Sequence, residues 1–424
     1  MLFREPVGFN FNLALFCFIK MLKELSLSIK SYGLVSLMVA PLLPAFMAKQ
    51  AVVLCFFLIV LVNANELFRL KYRIHASLIL LFFFPGILVS LQVNPSQLIR
   101  LAPIIFLTLL VPLRRSMGPP SLIFKVSVFL ILYCIIWQIG ILLGVPGLME
   151  FRNFLYPYRE AIHPFNCNPI DPKFCISSTL LFPFGQYRAA GIFFNPNLLS
   201  FVLVILYATV YGAWMSQKNF SGVRSMHRFI LRCWPLTFLV LFSQYLTGSR
   251  TGFITFFVFH LCSFLPYLLF GIQSFKFSPR SFSASKVASI FVLSLAAGLF
   301  ATTFKYIRNG FSAGDSLDQK LQIFLNYYAR LSAQDVMFGS GLDVHFDSEL
   351  GFFFGFGGVA ALLALILFYC LLLRDNILLF PLVIVLLLTS VSNSVMYSLM
   401  TSVLLIPAFI APSLAPSCRH ELVI

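Results

Sequence analysis

Charge is scarce in this chain. Only 10% of its 424 residues are charged, and 14 Asp or Glu face 30 Lys or Arg. A soluble domain carries about 25% charged residues, so a water-exposed globular fold is excluded. Short alternating apolar segments, the mark of a membrane barrel, are also missing; the apolar runs are about twenty residues long. Histidine is sparse: six, scattered, with no paired Cys–His spacing, which argues against a built-in metal site. There is no nucleotide-binding loop, and no cofactor is expected. Residues Phe9 to Ile19 are apolar but short, and no small-residue cleavage site follows. An interfacial cytoplasmic arm over residues 1–30 is expected in place of a cleaved signal.

What is present is hydrophobic: 60% of the residues, with 51 Phe and a mean hydropathy of +0.94. The fold class expected is all-α, a polytopic integral membrane protein of about twelve transmembrane helices. Spans are predicted at 31–48, 50–67, 76–92, 98–113, 121–144, 190–214, 233–247, 251–271, 286–303, 350–373, 376–391 and 398–414. They form a single transmembrane domain over 31–414, with a short tail over 415–424. Both termini then share one side, and the positive-inside rule makes that side cytoplasmic. Clusters such as Arg69, Lys71 and Arg73, or Arg224, Arg228 and Arg232, fall in alternate short connections. The net charge of +16 is therefore a topology signal, and no nucleic-acid partner is expected.

Two outer connections stand out by length, about 145–188 and 304–349. Long ordered loops on a compact helical scaffold are usually functional, which places the chemistry on the outer face. The first loop holds Cys167 and Cys175, and an oxidising compartment permits a disulfide between them. It ends at Arg188, followed by Gly191 and then Asn195-Pro196-Asn197. Proline pre-sets a helix start there. A helix start with an arginine beside it is either an ordinary cap or an anion site. A second arginine, Arg250, sits in Gly248-Ser249-Arg250-Thr251, a hairpin cut to a few residues between two apolar runs. An arginine at mid-helix costs roughly 2.5–3.5 kcal/mol on insertion scales. Either it snorkels to the interface, or its rigid fork of donors clamps a phosphate. The second loop holds Lys305, Tyr327-Tyr328-Ala329-Arg330, Gly339-Ser340-Gly341, His345, Asp347 and Glu349, then the glycine-rich Gly355 to Gly358. Acids at a helix start also serve as plain caps. The glycines suit close helix packing.

The order of these elements resembles the O-antigen polymerase and O-antigen ligase superfamily of polytopic membrane glycosyltransferases. The match runs from about Gln186 to Leu365: R-x-x-G-x-x-x-N-P-N, then S-R-T, then Gly-Ser-Gly with an acid and a glycine-rich helix. The resemblance implies a GT-C-like enzyme in the bacterial inner membrane, with a periplasmic active site. Its substrate would be an oligosaccharide on undecaprenyl pyrophosphate, with membrane lipid around it and a chain-length regulator as a further partner. Arg188 and Arg250 would contact the pyrophosphate, and Asp347 would serve as base, with His345 or Glu349 as substitutes. Ligases of this type carry a His-Asn pair where this chain has Asp347-Ser348-Glu349, so the polymerase branch is favoured. Arg330 and Lys305 are candidate contacts to the same anionic substrate. Tyr327 is a candidate to stack on a sugar, and Asn197 lies beside the first arginine site. The competing readings are the ligase, a lipid-linked oligosaccharide flippase or transporter, and a structural membrane scaffold.

Overall fold

The structure, a computed structural model, describes residues 30–43, 45–62, 70–93, 120–143, 145–155, 191–193, 196–217, 223–247, 249–269, 316–340, 348–392 and 399–413. These residues form helices and connecting turns, with no strand among them. In chain order the helices are α1 (30–39), α2 (Ala45–Val62), α3 (Leu70–Val93), α4 (Pro120–Leu142), α5 (Leu148–Leu155), α6 (Pro196–Gln217) and α7 (Val223–Thr247). Then come α8 (Arg250–Leu269), α9 (Ser316–Tyr328), α10 (Ala333–Phe338), α11 (Glu349–Asp375), α12 (Phe380–Ser392) and α13 (Leu399–Ile410). Three of them, α4, α6 and α11, contain stretches long and apolar enough to cross a membrane. The spans predicted at 98–113 and 286–303 lie outside the described residues.

Helix α6 is the spine. Almost its whole length is buried, and it packs against α4, α7, α8 and α13. Tyr207 sits at its middle, its hydroxyl 2.7 Å from Thr237 Oγ1 on α7, its ring edge-on to Phe229, Phe256 and Phe259. Phenylalanine fills this interior as bulk, and it also covers the outside. Phe57, Phe84, Phe129, Phe238 and Phe257 are more than half exposed, as a lipid-facing belt requires.

Side-chain hydrogen bonds give the helix directions. Ser200, near the start of α6, meets Gln244, near the end of α7; Gln138, near the end of α4, meets Ser243. The starts of α6 and α8 and the ends of α4 and α7 therefore share one end of the bundle, the upper end. At the other end Phe124 of α4 packs on Trp214 of α6, Arg232 of α7 stacks over the same indole, and Ser216 donates to Ala411 O just past α13.

Several boundaries differ from expectation for local reasons. The run expected as one span at 31–48 is interrupted by a 3-10 turn over Ala40–Leu42, with Pro41 near its start and Leu43 extended. Helix α7 begins ten residues before the expected 233 and runs through Pro235, carrying its basic residues as helix rather than loop.

The largest departure is in α11. The sequence predicts one span over 350–373. Gly357 and Gly358 instead leave helical geometry, Gly358 at φ 60° and ψ −150°. That region is essentially closed to residues with a Cβ. A straight α11 would hold Ser348 roughly 40 Å above Asp375, while α12 climbs only about 15 Å by Ser390. Yet Ser348 Oγ donates to Ser390 O at 3.0 Å. Glu349 also lies within electrostatic reach of Tyr369, which sits far down the second half. Residues 349–356 therefore turn back toward 359–375 instead of continuing their axis.

Candidate functional site

The start of α6 carries one expected element and the start of α8 the next. Helix α6 begins at Pro196, as the Asn-Pro-Asn signal predicts, and Asn197 is half-buried in its first turn. Helix α8 begins at Arg250 with Ser249 as its cap: Gly252 N–H donates to Ser249 Oγ at 3.2 Å. Ser249 N–H in turn donates to Thr247 Oγ1 at 3.1 Å, and the Thr247 hydroxyl donates to Gln244 O at 2.6 Å. The connection between α7 and α8 is thus wound tightly by its own hydroxyls.

Gly252 is what joins the two starts. A Cβ there would collide with Ser200 Oγ and reach 2.8 Å from Gln244 Oε1. Ser200 Oγ donates to Gln244 Oε1, and Gln244 Nε2 donates to Ser200 O at 2.8 Å. All of these groups are buried. Polar side chains this deep in an apolar bundle need partners, and here they bond across helices. The Asn-Pro-Asn start and the Ser-Arg-Thr start are consequently neighbours, about 3 Å apart in depth. Two aligned helix N-termini present partial positive charge at this end of the bundle.

Arg152 is the residue that the sequence pattern does not single out. It lies on the short helix α5 and is almost fully buried. Its Nε donates to Gly191 O at 2.7 Å and its Nη2 to Phe193 O at 2.6 Å. Gly191 takes φ 58°, a left-handed turn. Arg152 so fixes the turn that leads from the first expected arginine to α6. Its one sequence signal is a lone arginine among apolar residues on an amphipathic helix.

The third element sits on α9, α10 and the break in α11. Gly339, at φ 82° and ψ 162°, closes α10. A Cβ at Gly339 would strike Phe356 O; a Cβ at Gly358 would lie 2.5 Å from Val336 O. Ser340 N–H donates to Gly355 O at 3.1 Å. On the other side Gly86 of α3 packs so closely that its Cβ would stand 2.9 Å from Gly357 Cα. The unwound backbone of α11 is thus enclosed by protein, the condition under which irregular backbone survives at membrane depth. The tight geometry expected of Gly-Ser-Gly and the close packing expected of Gly355 to Gly358 meet at this one joint.

Tyr327, at the end of α9, shares a hydrogen bond of 2.6 Å with Ser340 Oγ. Burial pushes its hydroxyl above the usual tyrosine value; the Ser340 bond opposes this and the Asp335 carboxylate adds to it. Arg330 is exposed in the turn after α9. Glu349 is fully buried as the first residue of α11, next to Ser348, which caps the helix by accepting from Gly351 N–H at 3.2 Å. Helices α11 and α12 pack together, and α12 packs on α8, so the third element is linked to the second through α12. Arg188, Lys305, His345, Asp347, Cys167 and Cys175 lie outside the described residues, and for Arg250 only the helical backbone is described.

No family model, no curated protein and no solved structure matches the chain.

Proposed function

We propose that the chain is a surface-polysaccharide polymerase of the O-antigen type. In this reading it has about twelve spans in a GT-C-like arrangement, both termini cytoplasmic and the upper end of the bundle periplasmic. The observation that supports it is the junction of Ser200 and Gly252, which sets the starts of α6 and α8 side by side. Two arginines that are far apart in sequence, Arg188 and Arg250, then converge on one anionic group. The donor is a glycan on undecaprenyl pyrophosphate. A hydroxyl oxygen of the acceptor unit forms a bond to the anomeric carbon. The bond from that carbon to the diphosphate oxygen breaks, and its electron pair leaves with the diphosphate. The hydroxyl proton passes to Asp347. Cationic forks aimed at the leaving diphosphate stabilise the charge that develops there. Arg152 holds the turn at Gly191 and Phe193 that leads into α6.

Deleting the gene and reading the surface glycan on a gel tests the assignment. Core bearing one repeat unit is the outcome for a polymerase. Bare core with long chains on the lipid carrier points to the ligase. Within the polymerase reading, Arg250→Lys loses most activity at unchanged protein level, because a point charge does not replace a bidentate fork. Full activity in that variant sinks the clamp.

One observation favours a second reading. A broken helix with a buried carboxylate, Glu349 below the Gly357–Gly358 turn, is a feature of carriers as well. For a flippase the deletion strain accumulates single units on the cytoplasmic side.

A further inference from the structure

The segment 316–340 is expected from sequence as part of a long outer loop. Its position on α11 fixes its depth. Val336 to Ser340 wrap the break at Gly357–Gly358, and Phe324 and Tyr328 pack on Phe354, with ring centroids 5.6 and 6.3 Å apart. From Gly358 down to Arg374, the first charge below it, the helix rises roughly 24 Å. A hydrocarbon core is about 30 Å thick. With Arg374 at the lower boundary, Gly358 lies about 6 Å inside the upper one, and any tilt takes it deeper. Met337 and Phe338 stand beside that glycine, 51% and 44% exposed.

Helix α9 carries the same message. Phe324 and Tyr328 form its docked stripe, four residues apart. Ile323 and Leu325 flank the stripe and are 50% and 53% exposed, while Gln322 and Asn326 lie on the far side. Its apolar face is wider than the surface α11 covers. Below the break, α11 itself exposes Leu363 and Ile366.

We propose that α9 and α10 form a platform inserted in the upper leaflet, with lipid acyl chains as the partner of Ile323, Leu325, Met337 and Phe338. An interfacial amphipathic helix sinks its apolar face about 5–10 Å into the headgroup boundary, which is the depth the α11 register gives. Polar Gln322 and Asn326 then face headgroups and water. The inference needs the chain to sit in a bilayer but does not need the glycosyltransferase reading.

Hydroxyl-radical footprinting of the full chain in lipid nanodiscs tests it, with oxidation of Met337 scored as a ratio to the denatured chain. Phe57 at the middle of α2 is the internal standard for lipid cover. Protection of both residues is the expected result. Phe57 protected with Met337 oxidised at its denatured rate places the platform in water and overturns the proposal, leaving the membrane assignment intact. Oxidation of both overturns the membrane assignment itself, and the proposal with it. A second measurement uses Phe338→Trp in brominated lipid. Its added fluorescence is expected to be quenched more by bromine near the glycerol end of the acyl chain than near the methyl end. No quenching by either lipid rejects the inserted platform.

Discussion

Two joints in this molecule bring backbones into contact through glycine, and they do so by different means. At the upper end, Gly252 makes room for a side chain: Ser200 and Gln244 fill the space its missing Cβ leaves, and hydrogen bonds hold them there. At the break in α11, Gly339 and Gly358 make room for backbone, and the atoms they meet are carbonyl and amide groups of Val336, Phe356 and each other's neighbours. The first joint is chemical and has adjustable partners. The second is steric and has none. A joint of side chains can be redesigned by changing its partner; a joint of backbones cannot.

The steric joint should break hardest. Gly339→Ala adds a Cβ against Phe356 O and forces alanine into a backbone region reserved for glycine. Backbone strain of about 1–3 kcal/mol combines with overpacking of about 1–3 kcal/mol. The expected outcome is a large drop in the unfolding midpoint in detergent, with no rescue by trimming Phe356, since the clash is with its carbonyl. Recovery in a Gly339→Ala, Phe356→Ala double variant would show that the joint is made by side chains after all.

At the chemical joint, Gly252→Ala costs less and is correctable. Ser200→Gly removes the hydroxyl and Cβ that the new methyl meets. The single variant is expected to lose about 2–3 kcal/mol by overpacking and a broken bond. The double variant should regain part of that in the same unfolding measurement. Losses that simply add would place the two residues apart and remove the link between the starts of α6 and α8.

The smallest effect is at Tyr327, which fastens α9 to the loop beyond α10. Tyr327→Phe removes its bond to Ser340, worth about 0.5–1.5 kcal/mol. The sign of its pH dependence is fixed by its raised value. The folded state holds the proton longer than the unfolded chain, so this contribution is fully present below pH 10.0 and is lost as pH rises through the folded value. Wild type should lose stability above pH 10 more steeply than the phenylalanine variant; parallel curves would remove Tyr327 from the joint.

The sequence carried the helices well where apolar runs and proline agree. Pro196 opens α6, and the Ser249-Arg250 connection is as short as its flanks predict. It did not carry the turn in α11. Hydropathy runs unbroken from Leu350 to Leu373, and glycines in such a run read as packing residues. Only their backbone angles disclose a reversal, and those follow from what Val336 to Ser340 bring to the site, a contact that no local pattern encodes. Arg152 was illegible for a related reason. A charge in a loop reads as solvated, and burial of a guanidinium against two carbonyls is a tertiary fact.

The grip of Arg152 on Gly191 and Phe193 has an evolutionary consequence. It pins together the two ends of residues 156–190, independently of what those residues are. Closing a chain between fixed ends becomes only about 0.6 kcal/mol harder for each doubling of its length. Changes of length before Gln186 are therefore cheap: insertions and deletions can be sampled there while the helices below keep their register. Lineages that must recognise changing partners could diversify through such a segment without refolding the protein.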